Sequence, residues 1–308
     1  MPAEPGCVTG RRRNEAGSIT LLALWSVAII ALLLAGAIMT TRTDLRTTQN
    51  AIAEGQARLA AEAGTQLGIA RLLRRRAAGE LVFDGKPEPW RDGGAEVEIA
   101  IVDEAGKIDL NVAPLELLSG LLVAVGRPPE EALLLACNIL DWRGDAAPAC
   151  PERDAAAGGP RQRFIVPEEL ADVPGVDEAL YEAVADYVTV ATRASAIDPL
   201  VAARPVLLAI PGATATVVDT FLETRAQWRD VPAAPSGVGL AAAIPFLTTS
   251  PAREFTLEAV ATTVSGGRYR ADLLIRLTDR AAHPYEVLAS RAPPVDRGRV
   301  SPPLRRVP

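Results

Sequence analysis

The chain has 308 residues, room for one large or two ordinary domains, and is 49% hydrophobic but only 4% aromatic. A formal net charge of −6 argues against a nucleic-acid-binding role, which needs a basic face to neutralise phosphates. Cysteine is sparse, at three residues.

Residues 1–17 carry Arg11, Arg12 and Arg13 against Glu4 and Glu15, a net +1, so a product beginning at residue 18 carries −7. From Ser18 to Met39 no side chain is ionisable. Those twenty-two residues rise about 33 Å as a helix, against a bilayer core of roughly 30 Å. The preceding arginines and the long chain after Met39 predict an orientation with the N-terminus in the cytoplasm. Three fates are open to the segment. It is a secretory signal cut after Ala35-Gly36-Ala37, an uncleaved anchor, or a type IV pilin-like leader cut after Gly17, with Ser18 as the new N-terminus.

The pattern beyond Met39 favours the third. No turn signal occurs before Gly79. Leu45, Ile52, Leu59, Ala63, Leu67, Ala70 and Leu72 or Leu73 recur at spacings of three, four and seven, an amphipathic helical stripe. A secretory signal has no reason to run on into such a rod. Gly55, Gly64 and Gly68 count against it, at up to about 1 kcal/mol each relative to alanine.

Gly85, Pro87, Pro89 and Gly93-Gly94 then mark loops. Val97, Ile99 and Ile101 alternate with polar or small residues as in a half-buried strand, and residues 107–111 are expected to return as a short second strand. Residues 113–228 read as helical, with helices expected at 114–125, 129–142, 167–173, 177–190, 205–210 and 214–228. Val173-Pro174-Gly175 and Ile210-Pro211-Gly212 each precede an apolar helix, and Val125-Gly126 is a looser third copy. Pro-Gly between helices resembles the helix-hairpin-helix, a module that binds DNA backbones. Each copy here has one glycine rather than two, and residues 164–228 hold ten acidic residues against Arg193, Arg204 and Arg225, so a structural hairpin is the better reading. After a Pro/Gly/Ala connector, strands are expected at 255–261, 269–277 and 285–289, pairing with 96–102. The Pro- and Arg-rich tail is expected to be disordered.

In this order several segments resemble the minor pseudopilin K family of type II secretion, general secretion pathway protein K. They are Gly17-Ser-Ile-Thr-Leu-Leu-Ala-Leu-Trp, Asp103-Glu-Ala-Gly-Lys-Ile-Asp-Leu-Asn-Val-Ala-Pro, Ile139-Leu-Asp-Trp, Pro167-Glu-Glu-Leu-Ala-Asp-Val-Pro-Gly and the closing Tyr-Glu-Val-Leu-Ala-Ser-Arg. The resemblance implies an α+β fold: a long N-terminal transmembrane and amphipathic helix, a small antiparallel pilin-like sheet, and a large all-helical insertion with helix-hairpin-helix-like (SAM-like) units. The expected division is leader 1–17, transmembrane helix 18–39, its periplasmic continuation 40–78, pilin-like domain 79–112 with 251–291, helical insertion 113–230, connector 231–250 and tail 292–308.

The implied role is structural. The chain would be cut by prepilin peptidase after Gly17 and methylated on Ser18. It would sit in the bacterial inner membrane with its bulk in the periplasm, and join I- and J-type minor pseudopilins, the major pseudopilin and the inner-membrane assembly platform. Mature position five, where pilins carry glutamate, is Leu22, which suits the tip of the filament, although a lipid-facing leucine needs no such explanation. A minor pilin of a type IV pilus and a membrane-anchored helix-hairpin-helix DNA-uptake protein are the alternatives. Calcium is implied near Asp141-Trp142, with Asp141, Asp145, Glu152 and Asp154 as the candidate ligands. Here Arg143 interrupts the acidic pattern, and an acidic loop without metal is the other reading. Cys7 would leave with the leader. Cys137 and Cys150 could close this loop as a disulfide in an oxidising compartment, or remain a buried thiol and an unpaired one. No catalytic constellation is evident: His283 is the only histidine, and Glu130-Glu131 and Glu168-Glu169 fit helix starts, where negative charge offsets the dipole.

Overall fold

The computed structural model describes residues 15–80, 82–83, 85–145, 147–150, 162–227, 245–248 and 253–292, with side chains except at 15–20, 36–45 and 227. Most of the leader, most of the connector and the tail beyond residue 292 lie outside the described residues. The first element is one helix, α1 (Glu15–Ala77), of 63 residues, about 94 Å long. Among the described residues no helix is long and apolar enough to cross a membrane. Within the expected span 18–39, side chains are described for residues 21–35, a rise of about 22 Å.

The second half of α1 lies on a five-stranded antiparallel sheet of order β1-β2-β5-β6-β7, formed by β1 (Glu88–Asp92), β2 (Ala95–Asp103), β5 (Glu254–Thr263), β6 (Arg268–Arg280) and β7 (His283–Arg291). The alternation read from the sequence sets the register. Val97, Ile99 and Ile101 of β2, Phe255, Leu257, Ala259 and Ala261 of β5, and Leu273, Ile275 and Leu277 of β6 are all buried, and the first two strands pair Val97 with Ala261 and Ile101 with Leu257. β1 falls where only loops were expected. Gly93 (φ 50°) and Gly94 (φ 104°) supply the two positive-φ positions of a tight hairpin turn, and Pro89 is tolerated because β1 is an edge strand.

The stripe by which α1 meets the sheet differs from the expected one. Small residues make the contact: Ala53, Ala57, Ala60, Ala61, Gly64 and Gly68, with Ile69 and Leu72 at the end. A Cβ on Gly64 would lie 2.8 Å from Val97 Cγ1, and one on Gly68 2.9 Å from Leu257 Cδ1. These glycines therefore permit close approach rather than weaken the helix. Leu72 joins the core, whereas Ile52 and Leu59 point outward, 56% and 67% exposed.

Residues 107–111 do not return to the main sheet. β3 (Ile108–Asp109) pairs in parallel with β4 (Val188–Thr189) as a separate two-stranded ribbon. β4 also shortens the helix expected at 177–190. α4 (Glu178–Val184) passes through a turn of 3-10 helix, Ala185–Tyr187, into the β-branched run at Val188. The helix expected at 167–173 is 3-10 as well, Pro167–Asp172. The rest of the insertion is α2 (Leu115–Ala124), α3 (Pro129–Trp142), α5 (Arg204–Leu208) and α6 (Ala215–Gln227), and its helices share one apolar core through Leu117, Leu121, Leu135, Ile139, Leu207 and Phe221.

The two Pro-Gly segments have the same geometry. Val176 N–H donates to the Val173 carbonyl at 3.0 Å and Ala213 N–H to the Ile210 carbonyl at 3.0 Å. Gly175 has φ 88° and Gly212 φ 78°. Proline followed by a positive-φ glycine inside a turn closed from residue i to i+3 is a type II turn. In each copy the apolar residue before it, Val173 or Ile210, is buried.

Gly120 sets how close α2 comes to the end of α5. A Cβ there would lie 2.1 Å from the Ala209 carbonyl oxygen and 2.8 Å from its carbon. Gly120→Ala gains about 1 kcal/mol of helix propensity but forces two backbones apart, at about 3 kcal/mol. A net loss of about 2 kcal/mol in urea unfolding is expected. Gly55→Ala, with nothing within 4 Å, is expected to gain up to about 1 kcal/mol.

Candidate functional site

Three surfaces carry the residues singled out in the sequence. The first is the free part of α1. Gly17 and Ser18 lie in its opening turns, with side chains outside the described set. From Leu21 to Leu34 the apolar side chains face outward on every side of the helix, among them Leu22 (70% exposed), Leu24 (74%) and Trp25 (63%). A helix apolar all round is stable only when lipid or other helices cover it.

The second surface is the joint between sheet and insertion, built by the Asp103–Asn111 segment. Asp103 caps a 3-10 turn, its Oδ1 accepting from Ala105 N–H at 2.9 Å. Glu104 Oε1 accepts from Lys107 Nζ at 2.7 Å and from Thr256 Oγ1 of β5 at 2.7 Å, and its carboxylate also meets the Thr189 hydroxyl of β4. Gly106 passes so close to Val201 that a Cβ would sit 2.9 Å from its backbone. Asp109 Oδ2 accepts from Arg193 N–H at 2.8 Å and Thr192 Oγ1 at 3.1 Å. Asn111 exchanges two bonds with Phe164, donating to its carbonyl at 2.9 Å and accepting from its N–H at 2.8 Å. Glu104, Asp109 and Asn111 thus tie the chain's crossing point to distant elements. Sequence reasoning used these residues as a motif and missed their work, which the mixture of charged and small residues hinted at only through its density.

The third is the loop after α3. Cys137 and Cys150 are joined by a disulfide, with Cα atoms 5.5 Å apart and a sequence separation of 13. Closing such a loop contributes about 3 kcal/mol, so Cys150→Ser is expected to lower the unfolding free energy by about that amount. Adding reductant should lower the wild type to the same level and leave the variant unchanged. Calcium does not fit the described part of this loop. Arg143, which interrupts the acidic run, is buried, and its Nε donates to Asp145 Oδ2 at 2.7 Å. Burial pulls this guanidinium below the ordinary arginine value while Asp145 opposes the shift, and arginine keeps its charge throughout. A fixed positive charge therefore stands among the candidate ligands. Among the described residues no three His, Cys, Asp or Glu side chains converge on a metal site. Asp141 is the penultimate residue of α3, and Glu152 and Asp154 lie outside the described residues.

The remaining acidic clusters sit in a helix's first turn or bond elsewhere in the fold. Glu130 and Glu131 occupy the first turn of α3, Glu169 Oε2 accepts from Ile165 N–H at 2.6 Å, and Glu168 pairs with Arg291 at the end of β7 at 2.7 Å. Two of the three arginines near the Pro-Gly turns are engaged within the fold. Arg204 forms a two-pronged pair with Asp219 at 2.7 and 3.1 Å, and Arg225 donates to the Pro199 and Ala202 carbonyls.

A long helix on a small antiparallel sheet, with a helical block inserted between its second and third strands in chain order, has a counterpart among solved structures. A chain in the crystal structure of the GspK-GspI-GspJ complex from the type 2 secretion system of enterotoxigenic Escherichia coli superposes with a TM-score of 0.58, covering 82% of this chain and 99% of that one, at 16% sequence identity. The fold is GspK-like. No family model and no curated protein matches the sequence. At this identity the likeness extends to the fold and not to individual side chains, so the GspK-like architecture is carried by a largely different set of residues.

Proposed function

We propose that this GspK-like chain is a minor pseudopilin of a type II secretion system, a structural subunit at the tip of the periplasmic pseudopilus that acts in its assembly and in protein export. The observation that carries the reading is the coverage of the match, 99% of a chain in a complex of three secretion proteins, combined with an α1 that leaves its apolar surface uncovered. Residues 18–39 would hold the subunit in the inner membrane after prepilin peptidase cuts behind Gly17 and Ser18 is methylated. The same surface would then pack against the helices of I- and J-type partners and the major pseudopilin, with Ile52 and Leu59 extending the contact into the periplasm.

Leu22 is the fifth residue counted from Ser18. Without a carboxylate there, the subunit lacks one attraction to a neighbour above it, which supports a place at the end of the filament. The insertion adds bulk beside the sheet and would limit growth from that end. A DNA-uptake role draws on the Pro-Gly turns alone, and it is opposed by the internal engagement of Arg204 and Arg225. A type IV pilus minor pilin shares the same helix and sheet logic and differs in its partners.

Co-expression of the tagged full chain with the I- and J-type minor pseudopilins of the same cell, followed by detergent extraction and affinity capture, tests this. A stoichiometric three-protein complex is expected. Capture of the chain alone, or with pilus subunits instead, would refute the assignment, as would tight, salt-dependent retention of DNA on a filter.

A further inference from the structure

The turn after α3 is held by a cation that belongs to the protein. Arg143 has a side chain only 5% exposed. Besides the bond to Asp145, its Nη1 donates to the Leu110 carbonyl at 2.7 Å and its Nη2 to the Ala113 carbonyl at 2.8 Å. One guanidinium thus gathers a carboxylate and two main-chain carbonyls from the turn after α3, the segment following β3 and the approach to α2. Carboxylates and backbone carbonyls are also the donors that a hard divalent cation collects. A guanidinium meets them instead with five N–H groups in a fixed fork and a charge that does not titrate away.

We propose that Arg143 does in this chain the ordering work that the resemblance assigns to calcium, fastening the turn at 143–145 to residues 110–113 and making the insertion independent of divalent metal. Two further ties act on the same region: the Cys137–Cys150 disulfide, and the Asn111 amide that grips Phe164. Of the candidate calcium ligands, Asp145 is committed to the arginine. The inference does not depend on where in a filament the subunit sits.

Thermal unfolding of the full chain in detergent, with EDTA or with millimolar CaCl2, tests the proposal. The wild-type midpoints should coincide within about 1 °C. Arg143→Ala should melt about 5 °C lower in EDTA and recover part of the loss in CaCl2, because the Asp145 carboxylate and the two carbonyls are then left to an added cation. Arg143→Lys, which keeps the charge without the fork, should lose less and remain insensitive to calcium. Should the alanine variant fail to fold, Arg143→Gln, which retains donors, takes its place with the same expectations. A wild type that loses stability in EDTA, a variant as stable as the wild type, or a destabilised variant that ignores calcium would each overturn the proposal.

Discussion

Glu104→Ala is expected to lower the stability of the chain by about 3–5 kcal/mol, the loss that follows when one partner of a buried ion pair is removed. Glu104 is buried and Lys107 half-buried at the joint, their contact is 2.7 Å, and their side chains are 4% and 18% exposed. Burial alone would push Glu104 up, but Lys107 and the hydroxyls of Thr189 and Thr256 hold it below the ordinary glutamate value. Burial would likewise pull Lys107 down, and Glu104 holds it above the ordinary lysine value. The pair's contribution is therefore lost as pH falls through the depressed glutamate value or rises through the elevated lysine value, and it is constant near neutrality. In Glu104→Ala the ammonium remains in a low-dielectric site with no carboxylate. Replacing both residues with methionine removes the charge as well as its partner and should restore most of the stability. Urea unfolding of the two variants at pH 7 checks this, and a single variant within 1 kcal/mol of wild type would contradict the role given to the pair.

The neighbouring residue gives the opposite pH behaviour. Asp103 is 3% exposed, and among the described residues its Oδ2 has no hydrogen-bond partner. Burial, aided by the charges of Asp198 and Glu104 and opposed by Ala105 N–H and Arg76, pushes its pKa up from 3.8 to about 7. The folded state therefore holds a proton that the unfolded state has released between about pH 4 and pH 7, so stability falls as pH rises through that window and is level above it. At ~1.4 kcal/mol per pH unit the fall is about 4 kcal/mol. Asp198 and Glu258 are raised by burial too and add to the slope. Asp103→Asn keeps the oxygen that accepts from Ala105 and removes the titration, while its amide N–H group costs about 1–3 kcal/mol for want of an acceptor. The variant should gain about 1–3 kcal/mol over wild type at pH 8, gain nothing at pH 4, and show a flatter profile. Parallel wild-type and variant curves between pH 4 and pH 8 would contradict it.

Much of the architecture could be read from period and punctuation. The alternation at Val97–Ile101 and Phe255–Ala261 placed β2 and β5 on one sheet, because a strand with one buried face has a period of two. The unbroken helical pattern past Met39 announced α1. The face of α1 that meets the sheet was not readable by hydrophobic size: alanine and glycine pack there because backbone proximity, rather than side-chain volume, closes the gap to Val97 and Leu257. β1 and β4 escaped notice for the same kind of reason. Glu88–Asp92 is mostly polar because it is an edge strand, and Val188–Thr189 is too short to show a period. The candidate site divides in the same way. Leu22 and the apolar run follow from composition, whereas the grip of Arg143 on Leu110 and Ala113 joins residues about thirty positions apart, beyond the reach of any local pattern.

The proposed pseudopilin role requires a cut after Gly17, and the N-terminus of the protein recovered from membranes tests it most directly. Edman sequencing together with the mass of the N-terminal peptide should give Ser18 as the first residue, one methyl group heavier than the unmodified peptide, with the apolar run retained on the mature chain. A mature protein beginning at Ile38, or one that still carries Met1 through Gly17, would contradict the account.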